Sequence, residues 1–178
     1  MTFWKSFFDH KNQNNQIIKC NTLQKEAILL INNFKNEDNT INIYFSTNND
    51  INLYDLEKLC DSVGWFRRPL KKVKIALDNS FLIGYIFYYY KKRKILIGFA
   101  RATSDTSFNA TIWDVVIHPQ FQKKGLGKIL MNQLIKHLRF YDISTITLFA
   151  DPHVIKFYRN LGFITDPDGV KGMFWYPL

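Results

Sequence analysis

The chain has 178 residues, 47% hydrophobic and 16% aromatic, with a formal net charge of +9 at pH 7. That length suits one domain, and that apolar share excludes wholesale disorder. No apolar run approaches the ~20 residues of a membrane-spanning helix, so no membrane partner is expected.

The positive charge suits a nucleic acid or a phosphate-rich cofactor. The chain is equally rich in Asn, Ile, Lys, Phe and Tyr, whose codons are A/T-rich, and base composition accounts for the Lys excess as well as any ligand does. The basic runs Lys91–Lys94 and Arg67–Lys72 fit solvated turns, and no nucleic-acid reading motif accompanies them; no nucleic-acid partner is expected. Cys20 and Cys60 stand far apart, and His10, His118, His137 and His153 have no metal-ligand spacing, so reduced thiols and no metal are expected. The opening MTFWKSFFDHKNQNNQ breaks its apolar part with Lys5, Asp9 and His10 and lacks the pattern of a signal or transit peptide. If the protein works in an organelle, synthesis there is the expectation.

Residues 1–40 read as an N-terminal arm with one helix. From Thr22 to Phe34, Leu23, Ala27, Leu30, Ile31 and Phe34 recur on one helical side, and Asn33–Thr40 reads as a linker. The domain proper spans 41–178. Ile41–Ser46 reads as a strand, Asn52–Val63 as a helix closed by Gly64, and 70–79 as a second helix. Two strands, Phe81–Tyr90 and Ile95–Thr103, flank the polar turn KKRK. A third, Thr111–Ile117, leads through HPQFQ to a helix with Leu126, Leu130, Leu134 and Leu138 at four-residue spacing. Ile143–Ala150 is a strand, Asp151–Pro152 opens a helix that Leu161–Gly162 closes, and short strands at Phe163 and Gly172–Tyr176 finish the chain. The order β-α-α-β-β-β-α-β-α-β-β describes an α/β fold with a mixed sheet.

The segment DVVIHPQFQKKGLGKIL, Asp114 to Leu130, places Gly125 and Gly127 where a strand gives way to a helix. Glycine allows close approach of the backbone, and the first amides of a helix lack internal partners, so this is a site for a pyrophosphate. Lys123, Lys124 and Lys128 add positive charge. A P-loop is excluded because Ile129 follows Lys128. A dinucleotide fingerprint is excluded because Leu130 stands where its third glycine belongs.

The longer pattern V-x-I-x-P-x-x-Q-x-x-G-x-G resembles motif A of the GNAT superfamily of acetyltransferases, with Gln122, Gly125 and Gly127 as its core. The resemblance implies a GNAT-like mixed sheet with helices on both faces, and acetyl-CoA as co-substrate. It implies that the strand Val115, Val116 and Ile117 pairs with the pantetheine arm. It also implies that Gln122, Lys123, Lys124, Gly125, Leu126, Gly127 and Lys128 hold the pyrophosphate. DPHVIKFYRNLGF resembles motif B of the same superfamily through Tyr158, Gly162 and Phe163. Asp151 stands where that motif has Asn, the family's coenzyme contact, and Val154 where it has Ala.

A phenol with a pKa near ~10 stays protonated at neutral pH and can protonate a departing thiolate whose parent thiol has a pKa near ~8.5. Tyr158 is therefore the candidate general acid, against a plain core role beside Val154 and Leu161. The incoming amine, if like Lys, costs about 4–5 kcal/mol to neutralise at pH 7. Asp114 is the candidate base or amine anchor, and capping a loop or pairing with Arg101 are its alternatives. Strand alternation predicts that Trp113 and Asp114 face opposite sides.

The tail DPDGVKGMFWYP and the segment RATSDTSFNATIWDVVIHP are similar to the plastid and cyanobacterial branch of these enzymes, which includes plant chloroplast serotonin N-acetyltransferases. That similarity covers 41–178 and implies a plastid location, with the gene in the plastid. It implies as acceptor an arylalkylamine such as serotonin or a protein lysine or N-terminal amine. An aromatic amine needs an apolar slot, for which Trp65, Trp113 and Trp175 are candidate walls, with core packing as their alternative. The protein is expected as monomer or homodimer. A non-catalytic acetyl-CoA-binding regulatory module is the alternative.

Overall fold

Aromatic and β-branched runs build one six-stranded sheet, described for residues 27–36 and 39–176 by the computed structural model. The elements in order are β1 (Ile28–Asn36), β2 (Asn39–Ser46), α1 (Leu53–Ser62), α2 (Leu70–Asp78), β3 (Leu82–Tyr90), β4 (Arg93–Ser104), β5 (Asn109–Ile117), α3 (Leu126–Phe140), β6 (Thr145–Leu148) and α4 (Ile155–Arg159). The strands lie side by side in chain order. Every neighbouring pair is antiparallel except the parallel β5–β6. The helices between β2 and β3 and between β5 and β6 match the α/β reading.

Local chemistry sets most of these boundaries. The Asn52 side chain accepts the N–H groups of Tyr54 and Asp55 and starts α1, and Gly64 with φ 78° closes it. The β3–β4 turn is carried by Lys91 and Lys92, both at positive φ, while Arg93 and Lys94 already belong to β4. On β3, Ile83, Tyr85 and Phe87 pack with Leu56, Leu59 and Cys60 of α1 and Leu77 of α2. Gly84 turns to the other face, where a Cβ would meet Leu134 Cδ1 of α3 at 2.2 Å. Alternation along the strand thus puts α1 and α2 on one face of the sheet and α3 on the other. The five fully buried α3 residues, Leu126, Leu130, Met131, Leu134 and Leu138, form the stripe that the four-residue spacing predicts.

Three expectations are corrected. The predicted helix over 22–34 is, in its described part, the strand β1, and the predicted linker continues into the β1–β2 hairpin, where Phe34 pairs Ile41 and Asn36 pairs Asn39. Leu30, Ile31 and Phe34 satisfy helical spacing, but the strand carries register shifts between Leu29 and Ile31 and between Ile31 and Phe34, which break the period-two pattern that marks a strand. The rest of that predicted helix lies outside the described residues. The closing strands at Phe163 and Gly172–Tyr176 are not formed, because these segments pair with no strand among the described residues. The sheet therefore starts earlier and ends earlier than the sequence order implies. The described chain falls into two compact units, one ending at Phe149 and one beginning at Ala150.

Candidate active site

The centre of the larger unit is a β-bulge. Across β4 and β5, Phe99 pairs Val116 and Arg101 pairs Trp113, so Asp114 and Val115 together oppose Ala100. Asp114 adopts φ 55°, a left-handed conformation that Asp tolerates better than most residues. The extra residue breaks the alternation, and Asp114 comes to the same face as Trp113, against the sequence expectation. Arg101 stands directly opposite Trp113, and its Nε donates to Asp114 Oδ2 at 2.6 Å. Arg68, in the loop between α1 and α2, donates from Nη1 to Asp114 Oδ1 at 3.0 Å. The carboxylate is thus gripped on both oxygens by two guanidinium groups. Pairing with Arg101 was one of the alternatives open from sequence; Arg68 was missed, since nothing local links positions 46 residues apart.

The aromatic neighbours lie close by. Trp113 donates from Nε1 to Thr103 Oγ1 at 3.0 Å and its ring rests 5.5 Å from that of Phe149. Trp113 and Trp65 are 36% and 37% exposed, enough to offer a face to a ligand. Cys60 sits under the same loop, 3.9 Å from Arg68 Nη2, and burial pushes its thiol up, away from thiolate reactivity.

Beyond the bulge the sheet parts. The β5–β6 ladder runs from Asn109–Thr145 to Ile112–Leu148 and stops, while β5 continues to Ile117. His118 N–H bonds the Ile97 carbonyl of β4 at 2.8 Å. By ladder alternation Val116 also faces β4, and Val115 and Ile117 turn their main-chain groups toward the opened side. Gln122 Nε2 donates to the Ile117 carbonyl at 2.9 Å, which folds the following loop back over the strand end. Phe121, 3% exposed, anchors that loop. Burial holds the His118 imidazole below its ordinary value, and its Nδ1 accepts the Gln120 N–H at 3.4 Å.

The loop then delivers α3. Lys123 with φ 58° and Gly125 with φ 83° turn the backbone. The first main-chain bond into the helix is Ile129 N–H to the Gly125 carbonyl at 3.1 Å. Among the described residues, the amides from Lys123 to Lys128 make no main-chain hydrogen bond of normal geometry. Six consecutive unpartnered N–H groups at the positive end of a 15-residue helix form a cradle for a diphosphate. Around Gly125 a Cβ would find no described atom within 4 Å, so the space above the turn is open. Lys124 is held apart from this cradle: its Nζ lies 3.2 Å from Asn36 Oδ1 and over the rings of Phe34 and Phe121. Lys123 and Lys128 make no ion pair among the described residues. No cluster of three His, Cys, Asp or Glu side chains that could hold a metal ion occurs there either.

The second unit carries Tyr158 and Asp151. Pro152–Val154 is a 3-10 turn and α4 has only five residues, a shorter helix than the sequence suggests. Asp151 makes no side-chain capping bond, although Pro152 sits at the first turn. The Tyr158 carbonyl accepts the N–H groups of Leu161 and Phe163, and Gly162 at φ 93° allows that closure. The Tyr158 ring packs edge-on against Phe157 and Phe163. Burial, and then the negative charge of Asp151, hold its phenol above the ordinary value. Trp175 lies in this unit too and is exposed.

A mixed six-stranded sheet with helices matches the fold of solved acetyltransferases. One from Streptococcus pneumoniae superposes with a TM-score of 0.61 over 76% of this chain and 98% of that one, at 23% identity, a likeness of fold alone. The chain matches the Acetyltransferase (GNAT) family over residues 51–163 and belongs to that family. It is 64% identical, over all of both chains, to the uncharacterized N-acetyltransferase ycf52 of Gracilaria tenuistipitata var. liui. It is 49% identical, over 76% of this chain and 58% of that one, to the GCN5-related N-acetyltransferase 2, chloroplastic, of Arabidopsis thaliana. It is an acetyl-transferring enzyme of the plastid and cyanobacterial branch.

Proposed function

We propose that the protein works in a plastid and moves acetyl from acetyl-CoA to a primary amine by direct attack. The observation that carries this reading is the run of free amides from Lys123 to Lys128, reached along the unpaired edge of β5. The coenzyme supplies the acetyl group activated as a thioester. In this reading Val115 and Ile117 bond the pantetheine amides, and the Lys123–Lys128 amides hold the pyrophosphate, with Asp151 a further coenzyme contact. The Gln122 side chain keeps the loop folded through the Ile117 carbonyl.

The amine nitrogen attacks the acetyl carbon, the carbon–sulfur bond breaks, and the Tyr158 hydroxyl gives its proton to the sulfur; the amine's own proton leaves to water. Burial supports that role, since it keeps the phenol protonated well above neutral pH. Asp114 serves better as an anchor for the approaching ammonium than as the base, because each oxygen already accepts from an arginine. Trp113 and Trp65, with Trp175, are candidate walls for an arylalkylamine such as serotonin, and a protein lysine or N-terminal amine is the other acceptor class. The chloroplastic name of the Arabidopsis relative supports the location.

The test mixes purified protein, acetyl-CoA and either serotonin or plastid protein extract, and follows thiol release and acetylated product by mass spectrometry. Amine-dependent thiol release with a matching product supports the reading. Coenzyme binding without any turnover would instead leave a regulatory module.

A further inference from the structure

We infer that Arg101 forms an anion subsite at the bulge and that the acceptor carries a carboxylate close to its amine. This rests on the reading that the acceptor reacts at the bulge. The Arg101 side chain is only 14% exposed, yet it commits a single nitrogen, Nε, to Asp114 Oδ2. Its two terminal nitrogens make no hydrogen bond among the described residues. No side-chain polar atom sealed from solvent there lacks a partner, so those nitrogens open onto accessible space on the face that carries Trp113. A guanidinium is a planar fork matched to a carboxylate, and one left largely desolvated with free donors gains most from a bidentate anion.

The charge balance points the same way. Two arginines share one carboxylate, Arg68 offering Nη1 to Asp114 and turning Nη2 toward Cys60, so the cluster keeps one positive charge in excess. Asp61 of α1, next to Cys60 in the chain, is spent on Arg67 at 2.7 Å. The coenzyme's phosphates are not the missing anion. Their cradle follows Ile117, and Arg101 faces Trp113, about 13 Å back along β5 at ~3.3 Å per residue. The free fork therefore faces the acceptor, and a carboxylate on the amine-bearing carbon would reach it while the ammonium meets Asp114.

The experiment uses a matched pair, serotonin and 5-hydroxytryptophan, which share indole and amine and differ by one carboxylate. Binding to the full chain is measured by calorimetry with coenzyme A in excess, and kcat/KM by thiol release. The wild type should favour the carboxylate-bearing amine by about tenfold or more, Arg101→Gln should abolish that preference, and Arg101→Lys should keep part of it. Unchanged coenzyme affinity in both variants reports that they are folded. Equal binding of the two amines, absence of both included, or a preference for serotonin, overturns the inference. Failure to bind coenzyme A would overturn the acetyl-transfer reading instead.

Discussion

Replacing Asp114 by Asn separates the charge at the bulge from its backbone conformation. Asn keeps the size of the side chain and tolerates φ 55° as Asp does, but it cannot pair with two guanidinium groups. The Arg101 contact, 2.6 Å long between groups 14% and 18% exposed, is a charge-assisted bond of about 2–3 kcal/mol. The Arg68 contact, with that arginine 40% exposed, is screened and adds about 0–1 kcal/mol. The variant should therefore lose about 2–4 kcal/mol, which at about 2–4 °C per kcal/mol for a chain of this size lowers Tm by roughly 5–15 °C. Asp114→Ala should fall further, by about 1–2 kcal/mol, because alanine resists the left-handed conformation. Thermal melts by circular dichroism measure both. An Asn variant that melts within about 1 °C of wild type would show that the double ion pair contributes nothing. An Ala variant equal to Asn would show that the bulge holds no backbone strain.

Tyr158→Phe should lower kcat by about 10²–10⁴-fold with coenzyme affinity within about twofold; undiminished turnover removes the phenol from the reaction. Gly84→Ala puts a methyl 2.2 Å from Leu134 Cδ1 and 3.0 Å from Phe45 Cε2, and the overpacking should cost about 1–3 kcal/mol in urea melts. No loss would mean that α3 packs less tightly on β3 than it stands. Burial, joined by the bond to Asp50, raises the Tyr85 phenol, and burial raises that of Tyr158. Folded values above the unfolded one mean that the native state binds more protons at high pH, so this stability is full below about pH 10 and is lost as pH rises further. Melts from about pH 8 to 11 should show a level midpoint and then a fall, and a rise above pH 10 contradicts the assignment.

The parts of the fold read correctly were those whose causes are local. Asn52 and Gly64 bracket α1 by capping chemistry, and the leucines of α3 mark a buried stripe by spacing alone. Gly125 announced the turn into α3 because few other residues adopt its φ of 83°. What the sequence hid depends on partners distant in the chain. ILLINNFKN shows helical spacing because its register shifts break the period of two, and pairing with β2 makes it a strand. Asp114 gives no sign that it bulges, since a non-glycine residue at positive φ leaves no mark in a pattern of apolar positions. Arg68 joins the site only because the α1–α2 loop crosses the sheet there. The aromatic tail 172–176 alternates like a strand, yet a ladder needs a neighbour and none is formed among the described residues.

Calorimetric titration of the protein with coenzyme A tests the amide cradle most directly. Saturable one-to-one binding is predicted, weakened about tenfold by Gly125→Ala, whose φ of 83° an L-residue adopts at a cost of about 1–2 kcal/mol. No heat of binding in the folded wild type, or full affinity in the variant, would contradict it.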